Sequence, residues 1–501
     1  MIKSSLRTLV LAGACVLAIA SAFAQDHAKE KPAEGQRGPG VLSLLPANAT
    51  TDHAGQIGGE TLAYTATAGT FPLYGQNGER SAAIFYTAYA LKGADAGKRP
   101  VTFVFNGGPG ASSAYLHLGL AGPRVIGFGA ERDGAAPALR DNPDTWLKFT
   151  DLVFIDPVGT GWSRPAKADK ADDFWSVRAD AQSIAKAIAL YVNGNARTAS
   201  AKYLLGESYG GFRSLKVARA LQREQGIIVN GIVMVSPFLD GSLVFNANRY
   251  ALGAALQLPS LAAAELDRKG KFTPEALAAA ERFALSDYLV ALAGPPLQGD
   301  AATRFYAKVA DLTGVPVDVV RRTRGFIRDN YEKTMQGGES RVASPYDAAT
   351  LEPDPYPEAL GAEGDDPVLD GYLQALGGAF AGYAANELRF KTPMTFNLLN
   401  REVSGKWNWG HGGRGQASAV NDLRELLALN PQFRVLIAHG RSDMVVPYAV
   451  TRYILDHLPP IGEPGRVALK VYRGGHMFYF SPQGRADVAR DAAAFYRAGG
   501  M

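Results

Sequence analysis

Gly206-Glu207-Ser208-Tyr209-Gly210 constrains this chain more than any other five residues. The apolar run Ala201-Lys202-Tyr203-Leu204-Leu205 leads into it. Gly211-Phe212-Arg213-Ser214-Leu215-Lys216-Val217-Ala218-Arg219-Ala220-Leu221 comes after it, with apolar residues at helical spacing. That order predicts a strand, a tight turn and a helix, with the serine on the turn. The glycines two places before and after the serine let the strand and helix backbones approach where a Cβ would clash. The N-terminus of the helix favours negative charge beside the serine. In this setting Ser208 is a candidate nucleophile rather than an ordinary turn serine.

A nucleophilic serine needs a base, and the base needs an acid to orient it. For a serine on such a turn the chain order is serine, acid, histidine. Phe433-Arg434-Val435-Leu436-Ile437-Ala438-His439-Gly440 reads as a buried strand and runs into Arg441-Ser442-Asp443. Val467-Ala468-Leu469-Lys470-Val471-Tyr472 reads as a second strand and runs into Arg473-Gly474-Gly475-His476. Both polar residues fall just past the carboxyl end of a strand, where open α/β sheets place their ligand sites. Asp443 is therefore assigned as the acid and His476 as the base. His439 is the rival base, but it precedes the acid and is read as a hydrogen-bonded structural residue. His117, near the glycine loop at 106–110, is read as a neighbour of the site. His27, His53, His411 and His457 fall in the N-terminal segment, an early loop, a Gly-rich loop and a helix.

A third constellation is Val101-Thr102-Phe103-Val104-Phe105 running into Asn106-Gly107-Gly108-Pro109-Gly110. Such a loop can present a bare backbone N–H where a transition-state oxyanion develops, and the second donor would be the N–H of Tyr209, the residue after the nucleophile. No Gly-Lys-Ser/Thr comes after it, so the loop is not a phosphate-binding P-loop.

Three strings, Asn106-Gly107-Gly108-Pro109-Gly110-Ala111-Ser112-Ser113, Asp156-Pro157-Val158-Gly159-Thr160-Gly161-Trp162-Ser163 and Gly206-Glu207-Ser208-Tyr209-Gly210-Gly211, stand in one order with Asp443 and Gly475-His476. In this the chain resembles the serine carboxypeptidases, from the Tyr64 region to the end and least in the middle third. The resemblance implies an α/β-hydrolase fold, a triad of Ser208, Asp443 and His476, and oxyanion donors at Gly108 and Tyr209. It also implies a substrate-binding set of Asn106, Gly107 and Glu207, in which Asn106 and Glu207 hydrogen-bond the free C-terminal carboxylate of a peptide. A carboxylate beside Glu207 favours the protonated acid, which then donates. An alternative for Glu207 is a buried acid paired with a nearby arginine. The sequence departs from better-known members at two points. Ala111 stands where many carry cysteine. Leu120 stands where many carry a second glutamate before Gly122-Pro123, so the pair of carboxylic acids is missing. Arg124 is a candidate replacement for recognising a carboxylate.

Lys3 and Arg7, the apolar stretch Leu9–Ala20 and Ala22-Phe23-Ala24 read as a cleavable signal peptide with a cut after Ala24, hence a periplasmic or secreted protein. The stretch is short for a membrane span. The one cysteine, Cys15, lies within it, so the mature chain would have no disulfide. The net charge of +4 falls to +2 once two cations and no acid are removed, which gives no reason to expect nucleic acid as a partner. No Cys/His cluster points to a metal and no motif points to a cofactor.

The chain divides into a signal peptide (1–24), a flexible polar leader (25–45), a first core part (46–240), an insertion (241–390) and a second core part (391–501). Leu62–Ala66 and Ala82–Tyr89 predict antiparallel hairpins opening the sheet. Leu152–Asp156 and Ile227–Ser236 predict strands, and Val177–Val192 a helix. The insertion is expected to be a helical lid that controls access, with helices starting at Thr273-Pro274-Glu275 and spanning Asp318–Thr334 and Asp366–Leu388, the last interrupted at Gly377-Gly378. Trp407 and Trp409 are candidates to line a pocket. The fold class expected is α/β: a mostly parallel central sheet with N-terminal antiparallel hairpins and a helical lid. The function expected is hydrolysis of C-terminal residues from peptides through an acyl-enzyme on Ser208. The alternatives are an esterase or acyltransferase using the same triad, or a catalytically silent secreted binding protein.

Overall fold

The structure, a computed structural model, describes residues 40–128, 134–333 and 340–499. The expected signal peptide, Cys15 and most of the leader lie outside the described residues. Strands β1 (Ala49–Ile57), β2 (Glu60–Tyr74), β3 (Arg80–Leu91), β4 (Val101–Phe105), β5 (Asp151–Ile155), β6 (Lys202–Glu207), β7 (Gly231–Val235), β8 (Arg434–Gly440) and β9 (Val467–Tyr472) form one sheet in the order β1-β2-β3-β5-β4-β6-β7-β8-β9. A short strand, Arg164–Pro165, pairs with β3. From β1 to β5 the pairings are antiparallel, and from β5 onward they are parallel. This is the expected class, with hairpins opening a parallel sheet.

Strands β4 to β7 are buried along their whole length, as continuous apolar runs in a parallel sheet covered on both faces must be. Alternation along each strand divides the core. Phe103, Phe105, Val153, Ile155, Leu204, Ile232 and Ile437 face one apolar cluster, with helices α1 (Val177–Gly194) and α2 (Tyr209–Ala220). Val104, Phe154, Leu205, Val233 and Leu436 face another, shared with residues 114–121, 375–390 and the helix Pro482–Ala498. Ser176 caps α1, accepting from the Ala179 N–H at 3.2 Å.

Between β7 and β8 the chain builds a third apolar cluster around Leu258, Leu261, Tyr288, Val309, Val320 and Tyr331. Its main helix is Ala251–Arg268. Thr273 caps the helix Pro274–Phe283, as its cap–proline–acid order predicts. Three local expectations are corrected. The helix expected over Asp318–Thr334 stops at Arg322 and resumes as a turn at Arg328–Tyr331, because Arg324 and Gly325 take φ of 55° and 92°. Gly377-Gly378 does not interrupt the helix Ala375–Asn386; the break falls earlier, at Gly371 (ψ −124°). The insertion is not wholly helical either, since Arg341–Ser344 and Asp347–Pro353 form an antiparallel hairpin. Among the described residues no helix is long and apolar enough to cross a membrane.

At the strand–turn–helix junction the glycines meet their expected constraint. A Cβ on Gly206 would lie 2.1 Å from the Gly210 carbonyl oxygen and 2.5 Å from Ser214 Oγ. Gly206→Ala is therefore expected to destabilise the fold by about 1–3 kcal/mol or more through forced backbone shifts. The urea midpoint reads it, and an unchanged midpoint would mean that the turn has room.

Candidate active site

Ser208 sits between β6 and α2 at φ 58°, ψ −126°, a region that costs a non-glycine residue about 1–3 kcal/mol. Three main-chain bonds hold it there. Its N–H donates to the Val235 carbonyl at 2.9 Å, and its own carbonyl accepts from Gly211 at 2.9 Å and Phe238 at 3.1 Å.

The loops after β8 and β9 bring Asp443 and His476 together. His476 Nδ1 lies 2.7 Å from Asp443 Oδ2, and both side chains are buried. Asp443 Oδ1 accepts from the N–H groups of Val445 (2.8 Å) and Val446 (3.0 Å), which fixes the carboxylate in its own turn. Burial acts to lower the His476 pKa, but the Asp443 charge and hydrogen bond, with Glu207 behind them, raise it above the ordinary histidine value. The main chain of His476 is also tied down: its N–H donates to the Tyr346 carbonyl at 2.6 Å, and its carbonyl accepts from Ser236 Oγ at 2.8 Å.

Asn106, Gly107, Gly108, Glu207, Ser208, Tyr209 and His476 line one cavity of about 690 Å³, including its open mouth. The glycine loop lies hard against the turn: a Cβ on Gly107 would stand 2.6 Å from both the Glu207 carbonyl oxygen and the Tyr209 nitrogen. Gly108 takes φ of 95°, which a side chain resists. Arg213, buried on α2, braces this arrangement. Its Nε donates to Asp180 Oδ2 at 2.7 Å, its Nη1 donates to the Asn106 carbonyl, and its head lies 4.9 Å from the Tyr209 ring.

Glu207 is buried beside the serine. Asn106 Nδ2 donates to its Oε2 and the Tyr479 hydroxyl donates to its Oε1 at 2.7 Å. Asn106 Oδ1 is occupied in turn by the Leu116 N–H at 3.0 Å. Burial pushes the Glu207 pKa up to about 7, although the His476 charge and the Tyr479 and Asn106 hydrogen bonds pull it down. Neither hydrogen-bond partner is an arginine, so the alternative of an Arg-paired acid is not what the structure holds. Leu120 is buried and apolar, as its identity requires.

Arg124 does not reach the cavity: it pairs with Asp141 at 2.6 Å and Glu387 at 3.3 Å. His117 is also removed from the cavity lining. It is fully buried, stacked 3.9 Å from Phe154 and 2.7 Å from the Tyr89 hydroxyl, and burial lowers its pKa to about 3. His439 bonds Thr451 Oγ1 at 2.8 Å and is lowered to about 3 by burial and then by His476. Trp409 lines the cavity, whereas Trp407 packs beneath Tyr209.

Sequence reasoning missed several contributors. Tyr479 lies three residues past His476, and that proximity was the available signal. Asp156 Oδ1 accepts from both the N–H (2.8 Å) and the hydroxyl (2.7 Å) of Ser113, anchoring the end of the glycine loop. Residues 397–404 clamp the same loop: Asn400 donates to the Gly110 carbonyl at 2.8 Å and Ser112 to Leu398 at 2.9 Å. Nothing in those residues' types announced this.

The family model for serine carboxypeptidases matches residues 68–247, which carry the glycine loop and the serine turn but stop short of Asp443 and His476. A stretch of 70 residues is 41% identical to serine carboxypeptidase-like 44 of Arabidopsis thaliana, covering 13% of each chain. A stretch of 141 residues is 29% identical to carboxypeptidase sxa2 of Schizosaccharomyces pombe, covering 27% of this chain and 26% of that one. The matches thus span between about an eighth and about a quarter of those relatives' length. Among solved structures, VinJ is similar at a TM-score of 0.37 and 15% identity, over 85% of this chain and 98% of that one. The chain carries the α/β-hydrolase fold, and over residues 68–247 its sequence is similar to that of serine carboxypeptidases.

Proposed function

We propose that the protein is an exported serine carboxypeptidase, removing the last residue of a peptide through an acyl-enzyme on Ser208. The observation that carries this reading is the Asn106–Glu207 pair in the wall beside Ser208, held from within by the buried Tyr479. An acid pushed up to about 7 by burial keeps a protonated fraction at neutral pH, and that form can donate a hydrogen bond to a substrate carboxylate. The family match over residues 68–247 supports it independently.

In this reading each group has its own part in the chemistry. His476 spends Nδ1 on Asp443, so Nε2 is the nitrogen that takes the Ser208 proton as Oγ attacks the last peptide carbonyl. The N–H groups of Gly108 and Tyr209 receive the oxyanion. His476 then gives its proton to the departing amine, and water, deprotonated by the same nitrogen, releases the acyl group.

Peptides with free C-termini are expected to be cleaved at least tenfold better than their amides, because the amide leaves buried polar groups unpaired. Asn106→Ala should erode that preference more than it slows ester hydrolysis. The pH profile gives a second reading. His476 must be neutral to act as base, so activity rises with pH through its raised pKa. Glu207 must be protonated to donate, so peptide activity falls as pH rises through about 7. The peptide profile should be a narrow bell near neutrality, and Glu207→Gln should flatten its alkaline limb. Equal kcat/KM for acids and amides in the wild-type enzyme would instead favour an esterase with the same triad.

A further inference from the structure

One cation at the mouth of the cavity has no acid of its own. Arg414 lines the same cavity as Ser208 and His476 and is exposed to solvent. Its guanidinium carbon lies 4.2 Å from the ring centre of Phe245 and 5.7 Å from that of Trp409. Among the described residues no carboxylate pairs with it, whereas Arg213, Arg219, Arg268 and Arg441 each hold one. Its main chain is held: its carbonyl accepts from the Ala417 N–H at 3.3 Å, and a Cβ on Gly241 would lie 2.1 Å from that carbonyl oxygen. A planar cation oriented by two aromatic rings loses less freedom when it pairs with a carboxylate than one swinging on a free stem.

The rings on which it rests form a wall. Trp409 stands 5.2 Å from Tyr209 and 5.8 Å from Phe238, and Phe238 stands 5.7 Å from Phe245. This wall is built on the residue after the nucleophile, while Asn106, Glu207 and Tyr479 come from other elements. An apolar slot ending in a guanidinium suits a side chain with an aliphatic stem and an anionic tip. Resting on the carboxypeptidase reading, the α-carboxylate of the leaving residue takes the Asn106–Glu207 pair and leaves this wall to the preceding residue. We propose that Arg414 selects substrates with an acidic side chain, glutamate above all, on the residue that supplies the scissile carbonyl.

The test compares blocked dipeptides with Glu, Gln or Lys in the penultimate position and a constant leaving residue, on the wild type, Arg414→Met and Arg414→Lys. Wild type should favour Glu over Gln by about three- to tenfold in kcat/KM at low salt, the range open to an exposed but oriented pair, and the ratio should shrink as salt is added. Arg414→Met should bring the ratio to about one, and Arg414→Lys should keep part of it. A ratio unmoved by Arg414→Met overturns the proposal, as does a charge preference confined to the last residue. If the wild type cuts no peptide, the carboxypeptidase reading falls separately. The 4-nitrophenyl esters of glutaric and pentanoic acid then decide the matter: a glutarate preference lost in Arg414→Met sustains the selection of an anionic acyl group, and its absence in the wild type overturns it.

Discussion

Ser208→Ala, Asp443→Asn and His476→Ala are each expected to lower kcat by on the order of 10⁴–10⁶ with the fold intact, since triad members act as a unit. The serine holds a strained conformation through main-chain bonds alone, so losing its hydroxyl leaves the turn unchanged. Asp443→Asn keeps the shape but presents an amide to His476 Nδ1, favouring the tautomer that cannot accept the serine proton on Nε2. Labelling by a fluorophosphonate should vanish in the serine variant, and a wild-type protein that resists the label would indicate a silent binder. His439 is the control. Its Nε2 is committed to Thr451 and its ring is held neutral by burial, so His439→Ala should change stability rather than kcat. Loss of turnover in His439→Ala alongside near-normal His476→Ala would reverse the assignment of the base.

The second large effect is expected at a residue outside the cavity lining. Arg213→Met removes one partner of a buried ion pair and leaves the Asp180 carboxylate and the Asn106 carbonyl without their donor. Breaking such a pair costs about 3–5 kcal/mol, which the urea midpoint would read. Asp180 already sits above its usual pKa because of burial, with the Arg213 charge opposing that rise. The double variant Asp180→Leu/Arg213→Met should recover most of the stability, because no buried charge is left unpaired. It should not recover full activity, because the Asn106 carbonyl still lacks its brace. Full recovery of kcat/KM in the double variant would show that Arg213 serves stability alone.

How far the sequence could be read depended on the range of the interactions. The placement of Ser208, Asp443 and His476 was legible because each comes after an apolar run that reads as a strand, buried before Ser208 and Asp443 and half-buried before His476, and the end of a strand fixes where the next few residues stand. The apolar runs of β4 to β8 announced their burial in the same way. Turns set by one or two dihedrals were harder. The stop after Arg322 depends on left-handed conformations at Arg324 and Gly325, and a lone Arg-Gly pair inside a helical pattern does not declare them. The hairpin at Arg341–Pro353 was hidden because its strands are short and carry little alternation. Contacts between distant segments were not legible at all. Tyr479 on Glu207, Asp156 on Ser113 and Asn400 on Gly110 exist only once the sheet has brought the loops together.

The hairpin has a consequence for how a chain of this fold can diversify. Residues 345–348 do not hang over the cavity as a detachable cover. The Tyr346 carbonyl receives the His476 amide, Ser442 accepts from the Ala348 N–H at 2.9 Å, and Met444 donates to the Pro345 carbonyl at 3.0 Å. The insertion thus acts as a splint on the loops that carry Asp443 and His476. Exchanging it wholesale for a relative's insertion would import a new substrate preference together with a new resting place for His476, so specificity and turnover are inherited as one package. Point changes at Phe245 and Arg414 touch neither His476 nor Asp443, and they are the positions from which new substrate preferences can arise one step at a time.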